Sequence, residues 1–175
     1  MDWNDRLDDL FLNRNWEGLA RLVEESLRET NPDGDIAIET IYRLLDFLLY
    51  AKYESDAEYD EIARTLYDQF VNSYSKFSDD AEYLFFVGYF MALGEWYFGQ
   101  DDLTLSHEML RRAAEIEPHN LLYAWGYHFS TGGPNGKVLT QQIYSEPEIL
   151  KFLMSKGLAG KYMIEAIETA YLQDL

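Results

Sequence analysis

One segment of this sequence limits the possible fold more than any other, the run YLFFVGYFMALGEWYF at residues 83–98. It holds eight aromatic side chains in sixteen residues, so as a helix it would be apolar on every side. A helix of that kind either lies at the centre of a core or spans a membrane. A span needs about 20 apolar residues, whereas this run is shorter and contains Glu95. We therefore expect a buried central helix and no membrane contact.

The spacing of apolar residues predicts helices along nearly the whole chain. These residues recur every three to four positions, and no segment shows the sustained two-residue alternation typical of strands. A chain of 175 residues fits one domain with a sizeable core. The expected fold class is all-α: an irregular bundle of seven or eight helices in antiparallel hairpins, forming a single domain over residues 1–175.

Turn and capping residues predict where the helices begin and end. Asn31-Pro32-Asp33-Gly34 is a helix breaker, because proline lacks an amide donor and glycine tolerates positive φ. Three pairs have the spacing of a capping box, which satisfies free amides at a helix start: Ser55 with Glu58, Asp79 with Glu82, and Ser145 with Glu148. Residues 137–144 are expected as a loop or a short extended piece. The main helices predicted elsewhere cover 3–12, 16–30, 36–53, 56–77, 103–117, 147–156 and 161–173, with Gly157 and Gly160 separating the last two.

Residues 87–120 carry a pattern of aromatic, small and apolar residues at fixed spacings. Its members are Phe90, Leu93, Gly94, Tyr97, Ser106, Leu110, Ala113 and Pro118. This pattern resembles a tetratricopeptide repeat (TPR), with Ser106 in place of the usual alanine. The resemblance implies a TPR-like hairpin in which Gly94 and Ser106 let two helices approach closely. The alternative is an ordinary helical hairpin with small residues at its crossing.

The TPR pattern does not continue regularly on either side of this hairpin. The next helix is expected to begin at Asn120 and again carries an aromatic-glycine pair, Trp125-Gly126, but the turn residues at 131–136 cut it short. Because a regular array needs at least three repeats, the chain resembles an irregular, repeat-derived helical domain.

The sequence lacks the motifs that catalysis, metal binding or cofactor binding would require. Its three histidines, His107, His119 and His128, include no pair four residues apart, and there is no cysteine. No P-loop, GxGxxG or GxSxG motif is present. We therefore expect no enzyme, no metal and no cofactor. The absence of cysteine and the acidic N-terminus, which has no apolar signal segment, favour a cytoplasmic location.

Charge is the feature that points to a function. The net charge is −18, and residues 53–110 hold 13 acidic residues but only two basic ones, Arg64 and Lys76. Such a field repels nucleic acid and anionic membranes and attracts cationic proteins. A basic protein is therefore the expected partner.

The helix predicted at 56–77 has one apolar stripe and one acidic side. The acidic side is either a partner-binding surface or an ordinary solvated face. Charge density and helical phase select these residues for partner contact: Glu54, Glu58, Glu61, Asp68, Asp79, Asp80, Glu82, Asp101 and Asp102.

In size, acidity and lack of cysteine, the chain resembles the immunity proteins of bacterial contact-dependent growth inhibition and related toxin systems. That resemblance implies an inhibitor of a basic toxin domain such as a nuclease, since a groove that holds phosphates must be cationic. The alternative is a TPR-type adaptor or secretion chaperone that binds an extended peptide in a groove lined by Tyr and Phe.

Overall fold

The computed structural model describes residues 3–173, which form ten α-helices, one short 3-10 helix and no strand. The expected all-α class is confirmed, but ten helices replace the predicted seven or eight. The helices are α1 (Trp3–Leu12), α2 (Trp16–Leu27), α3 (Gly34–Tyr50), α4 (Asp56–Phe77), α5 (Ala81–Met91), α6 (Thr104–Ile116), α7 (Leu121–Ser130), α8 (Gly136–Tyr144), α9 (Pro147–Met154) and α10 (Gly157–Gln173); the 3-10 helix is Glu95–Phe98.

Capping side chains set the starts of the N-terminal helices, and α1 and α4 have the predicted bounds. Ser55 caps α4 by accepting a hydrogen bond from the Glu58 amide at 3.2 Å. The cap of α5 is Asp80, which accepts from the Tyr83 amide, and not Asp79 as predicted. Ser145 does not cap α9, because its hydroxyl donates back to the carbonyl of Gln141.

The central helix α5 is buried on nearly every side, as the aromatic run predicts. Ten of its eleven residues are buried, and α3, α6 and α7 pack around it. The prediction of one helix through residue 98 was wrong, because α5 ends at Met91. The amides of residues 92–94 bond to carbonyls three residues earlier, which tightens the last turn before the 3-10 helix begins. No helix within residues 3–173 combines the length and the apolar character that crossing a bilayer requires.

The α5–α6 pair is the most extensive helix contact, and it crosses at Gly88. The Ser106 hydroxyl donates to the Gly88 carbonyl at 2.7 Å, and a Cβ on Gly88 would lie 3.0 Å from the Cβ of Met109. Ser106 therefore has the predicted place at the crossing. Gly94 does not, since it lies beyond the end of α5. The TPR-like arrangement of the hairpin stays a prediction.

Residues 137–144, expected as a loop or a short extended piece, are helical and belong to α8. Its Thr140 is fully buried and accepts a hydrogen bond from the Trp125 indole nitrogen at 2.9 Å, which joins α8 to α7. Gly160 does not separate two helices as predicted. It lies inside α10, where a Cβ would collide with the Leu153 carbonyl oxygen of α9. The last helix, α10, then packs on α3, α8 and α9.

Candidate protein-binding surface

Two of the predicted contact residues, Glu54 and Glu58, are held by Arg14, which lies between α1 and α2. Both carboxylate oxygens of Glu58 accept from the Arg14 guanidinium, at 2.7 and 2.8 Å, and Glu54 lies 3.4 Å from the same group. The Glu54 amide also donates to Glu58, and this bond, together with Arg14, lowers the pKa of Glu58. The Glu58 side chain is only 11% exposed, so the expectation that it lies on an open acidic face was wrong.

Two further predicted residues, Asp79 and Glu82, have ion-pair partners from distant helices. Asp79 pairs with Arg112 of α6. Glu82 pairs with Lys156, which also binds Asp35 at 2.9 Å. Burial, with the nearby Asp35, raises the pKa of Glu82 to about 7. The Asp79 side chain is 88% exposed, so its pair contributes little to stability, whereas Glu82 belongs to a partly buried cluster that links α3, α5 and the turn before α10.

The expectation that only Arg64 and Lys76 offset the acidic middle of the chain is therefore corrected. Four cations from outside residues 53–110 pair with carboxylates inside it: Arg14, Arg111, Arg112 and Lys156. The charge that remains uncompensated is smaller than the sequence count implies, and it is more localised.

The other five predicted residues have no ion pair within residues 3–173. Glu61 and Asp68 lie on α4, Asp80 caps α5, and Asp101 and Asp102 follow the 3-10 helix. Asp102 accepts from the Thr104 amide at 2.8 Å, and hydrogen bonding from Thr104 lowers its pKa. Whether any of the nine contacts a partner stays a prediction.

The outer side of α4 and the turn after the 3-10 helix form one continuous surface. The Tyr59 hydroxyl donates to the Tyr97 hydroxyl at 3.0 Å, which fastens the 3-10 helix to α4. Gly99 has φ of 69° and lies so close to the Tyr67 ring that a Cβ there would approach Cε2 to 2.7 Å. Only glycine fits this turn without strain, and its close approach to Tyr67 brings the start of the turn beside α4.

This surface carries exposed aromatic side chains among uncompensated carboxylates. Trp96 is 58% exposed and Tyr67 is 44% exposed. Six carboxylates without an ion pair in the described part of the chain share the surface with a single guanidinium, that of Arg64. We call it the acidic–aromatic surface; it consists of Asp56, Asp60, Tyr67, Asp68, Glu95, Trp96, Asp101 and Asp102.

Sequence reasoning missed five members of this surface: Asp56, Asp60, Tyr67, Glu95 and Trp96. The first three were open to prediction, since they follow one another at spacings of four and seven residues along one side of α4. Trp96 was not, because it belonged to a run expected to be buried throughout.

The side chains of this surface are carboxylates and aromatic rings, with Arg64 beside them. Within residues 3–173, no group of three or more His, Asp or Glu side chains is placed to hold a metal ion. Comparison with models of known protein families, with curated proteins and with solved structures gives no match to this chain.

Proposed function

We propose that this chain is a binding protein that neutralises a basic partner, acting as an immunity protein against a bacterial toxin domain such as a nuclease. The observation that carries the proposal is the acidic–aromatic surface, which combines six carboxylates without an internal ion pair and two exposed aromatic side chains.

The two components of the surface have different physical roles. Uncompensated carboxylates attract a cationic partner over distances near the Debye length, and they raise the association rate. Exposed Trp and Tyr give large apolar contact areas at low entropic cost, and such residues dominate binding energies at interfaces. A cationic groove that holds phosphates complements this combination in both respects.

The internal ion pairs narrow the set of contact residues. Glu54, Glu58, Asp79 and Glu82 already have cationic partners, so a toxin would have to break those pairs to use them. Among the predicted residues, the proposal therefore assigns contact first to Asp68, Asp101 and Asp102, which belong to the acidic–aromatic surface; Glu61 is unpaired within residues 3–173 but lies outside it. Asp80, which caps α5, is also unpaired but is not part of the acidic–aromatic surface.

The test uses catalytically inactivated, cationic nuclease domains from bacterial toxins, mixed one by one with this chain. Stopped-flow association at 50 and 300 mM NaCl should detect at least one complex whose association rate falls steeply with salt. The variant D60N/D68N/D101N should slow association, and W96A should weaken affinity about tenfold or more, which corresponds to at least about 1.4 kcal/mol.

The matched control is D5N/E29Q/E168Q, which removes the same total charge from exposed positions on α1, after α2 and on α10. It should bind the toxin domain nearly as wild type does. Equal losses in both triple variants would mean that net charge alone drives association. If no domain in the panel formed a salt-sensitive complex, the inhibitor proposal would be rejected.

A further inference from the structure

A groove of about 590 Å³ opens between α1, α3 and α10. None of its lining residues belongs to α4 or to the 3-10 helix, so it is distinct from the acidic–aromatic surface. Its volume lies in the range of about 300–1,000 Å³ that binding pockets for drug-sized groups have. It is therefore large enough for two or three side chains of a bound segment.

The floor of the groove is aromatic and fixed to the core. Tyr42 packs against Tyr162 with ring centroids 5.4 Å apart, and against the buried Phe90 at 5.1 Å. Phe47 packs on the buried Trp16 at 5.3 Å. Because core contacts hold these rings, the groove needs no rearrangement before a ligand enters, which lowers the entropic cost of binding.

Two leucines at the edge of the groove are exposed to solvent. The Leu12 side chain at the end of α1 is 85% exposed, and Leu158 near the start of α10 is 42% exposed. Both line the groove. A ligand with large apolar side chains would cover them, with a gain of about 25 cal/mol for each Å² of apolar surface removed from water.

The charges around the groove are not balanced. Arg43 is already engaged by Asp8 and Glu39. The other charged lining residues, Asp46, Glu165 and Lys161, have no ion pair in the described part of the chain. Two carboxylates therefore face one ammonium.

Both carboxylates lie beside the aromatic floor. Burial first, and then the charges of Asp46 and Glu165 among others, raise the pKa of the Tyr42 and Tyr162 hydroxyls. A cation placed between these carboxylates would also approach the faces of tyrosine rings, which attract positive charge.

We propose that the groove binds a segment of another protein in which a large apolar side chain stands next to a lysine or arginine. The apolar side chain would lie on the floor formed by Tyr42, Phe47 and Tyr162, and the cation would pair with Asp46 and Glu165. A second copy of this chain fits poorly, since two molecules of charge −18 repel each other. The proposal does not depend on the immunity function.

The experiment selects ligands from a random dodecapeptide phage library against the full chain. The enriched peptides should combine Leu, Phe or Trp with an adjacent Lys or Arg. For a synthetic copy of the best peptide, D46N/E165Q should weaken affinity about tenfold or more, because two opposite charges are lost. K161Q should instead strengthen it several-fold by removing the competing cation, and L158K should weaken it.

Three controls make the outcome decisive. E168Q removes an exposed acid from α10 outside the groove, and it should bind the peptide as wild type does, as should D60N/D68N/D101N. All the substituted side chains are exposed, so unchanged melting temperatures should show that the variants fold. The proposal is overturned if no peptide is enriched, if the enriched peptides are acidic, or if the groove variants bind normally. It is also overturned if sedimentation shows self-association that L158K abolishes.

Discussion

Glu39 on α3 and Ala159 on α10 are joined by a hydrogen bond of 2.9 Å from backbone amide to carboxylate, although 120 residues separate them in sequence. The other carboxylate oxygen accepts from the Leu158 amide at 3.1 Å and from Arg43 at 2.8 Å. A carboxylate in this position satisfies free amides at a helix start and interacts favourably with the helix dipole. Glu39 therefore caps the last helix from the middle of the core.

Replacing Glu39 should destabilise the fold strongly. Glu39→Ala leaves Arg43 without its most buried partner and two amides without acceptors, so we expect the free energy of unfolding to fall by about 3–5 kcal/mol. Glu39→Gln keeps one acceptor and should cost less, about 1–3 kcal/mol. Urea unfolding followed by circular dichroism measures both values. The exposed control Glu168→Ala should stay within about 0.5 kcal/mol of wild type, and an equal effect of E39A and E168A would contradict this role.

The pH dependence of stability should reveal the buried position of Glu82. Its folded pKa of about 7 lies above the ordinary value of 4.5, mainly because of burial. A carboxyl group with a raised pKa contributes stability that is fully present below 4.5 and is lost as pH rises through 7. The melting temperature of Glu82→Gln minus that of wild type should therefore be higher at pH 8 than at pH 5.

Carbon-13 NMR of the Glu side-chain carboxyls provides a direct check. Glu82 should titrate near pH 7. Glu58, whose pKa is lowered by the Glu54 amide and by Arg14, should titrate below its ordinary value in the same spectra. The stability that Glu58 contributes depends on pH in the opposite direction to that of Glu82, because it is lost as pH falls through the folded pKa of Glu58. Overlapping titrations of the two groups would show that their environments do not differ as described.

The position of the α5–α6 crossing can be tested with two glycines. A Cβ on Gly88 would lie 3.0 Å from the Cβ of Met109 and 3.3 Å from the Ser106 carbonyl oxygen, so Gly88→Ala should cost about 1–3 kcal/mol. Gly94→Ala should cost less, because the nearest atoms belong to the Tyr97 ring, which is partly exposed. Thermal unfolding of both variants decides the order. A larger loss of stability for G94A would indicate that the two helices cross at Gly94, as the TPR pattern predicts.

The hydrogen bond from Trp125 to Thr140, which joins α7 to α8, should contribute measurably to the free energy of unfolding. Thr140→Val keeps the shape of the side chain but leaves the buried Trp125 indole nitrogen without an acceptor, at a cost of about 1–3 kcal/mol. Thr169→Val, at an exposed position of α10, is the matched control and should be nearly neutral. The same free energy of unfolding for both variants would argue against the hydrogen bond.

Local patterns in the sequence were sufficient to predict much of the helical structure. The bounds of α1 and α4 follow from apolar periodicity and, for α4, from Ser55 at its start. The segment 137–144 was misjudged, because its few apolar residues favour a helix only once Trp125 and Thr140 are buried together. The helix break after Met91 was also missed, since nothing in an apolar run marks where a helix tightens and ends.

The candidate site was harder to predict because ion pairs form between distant parts of the chain. Arg14 lies 44 residues before Glu58, and Arg112 lies 33 residues after Asp79. A local count of charge cannot include such partners. Helical phase placed Asp68 correctly on the outer side of α4, but it could not show that the buried pair with Arg14 removes Glu58 from that side.

The central position of α5 has a consequence for how the chain is made. Its aromatic side chains leave the ribosome before α6 and α7, two of the helices that pack on them. Until those helices emerge, only the helices that precede α5 in the chain can cover its apolar side chains. A nascent chain released at that stage would expose the aromatic surface of α5 and would therefore be prone to aggregation.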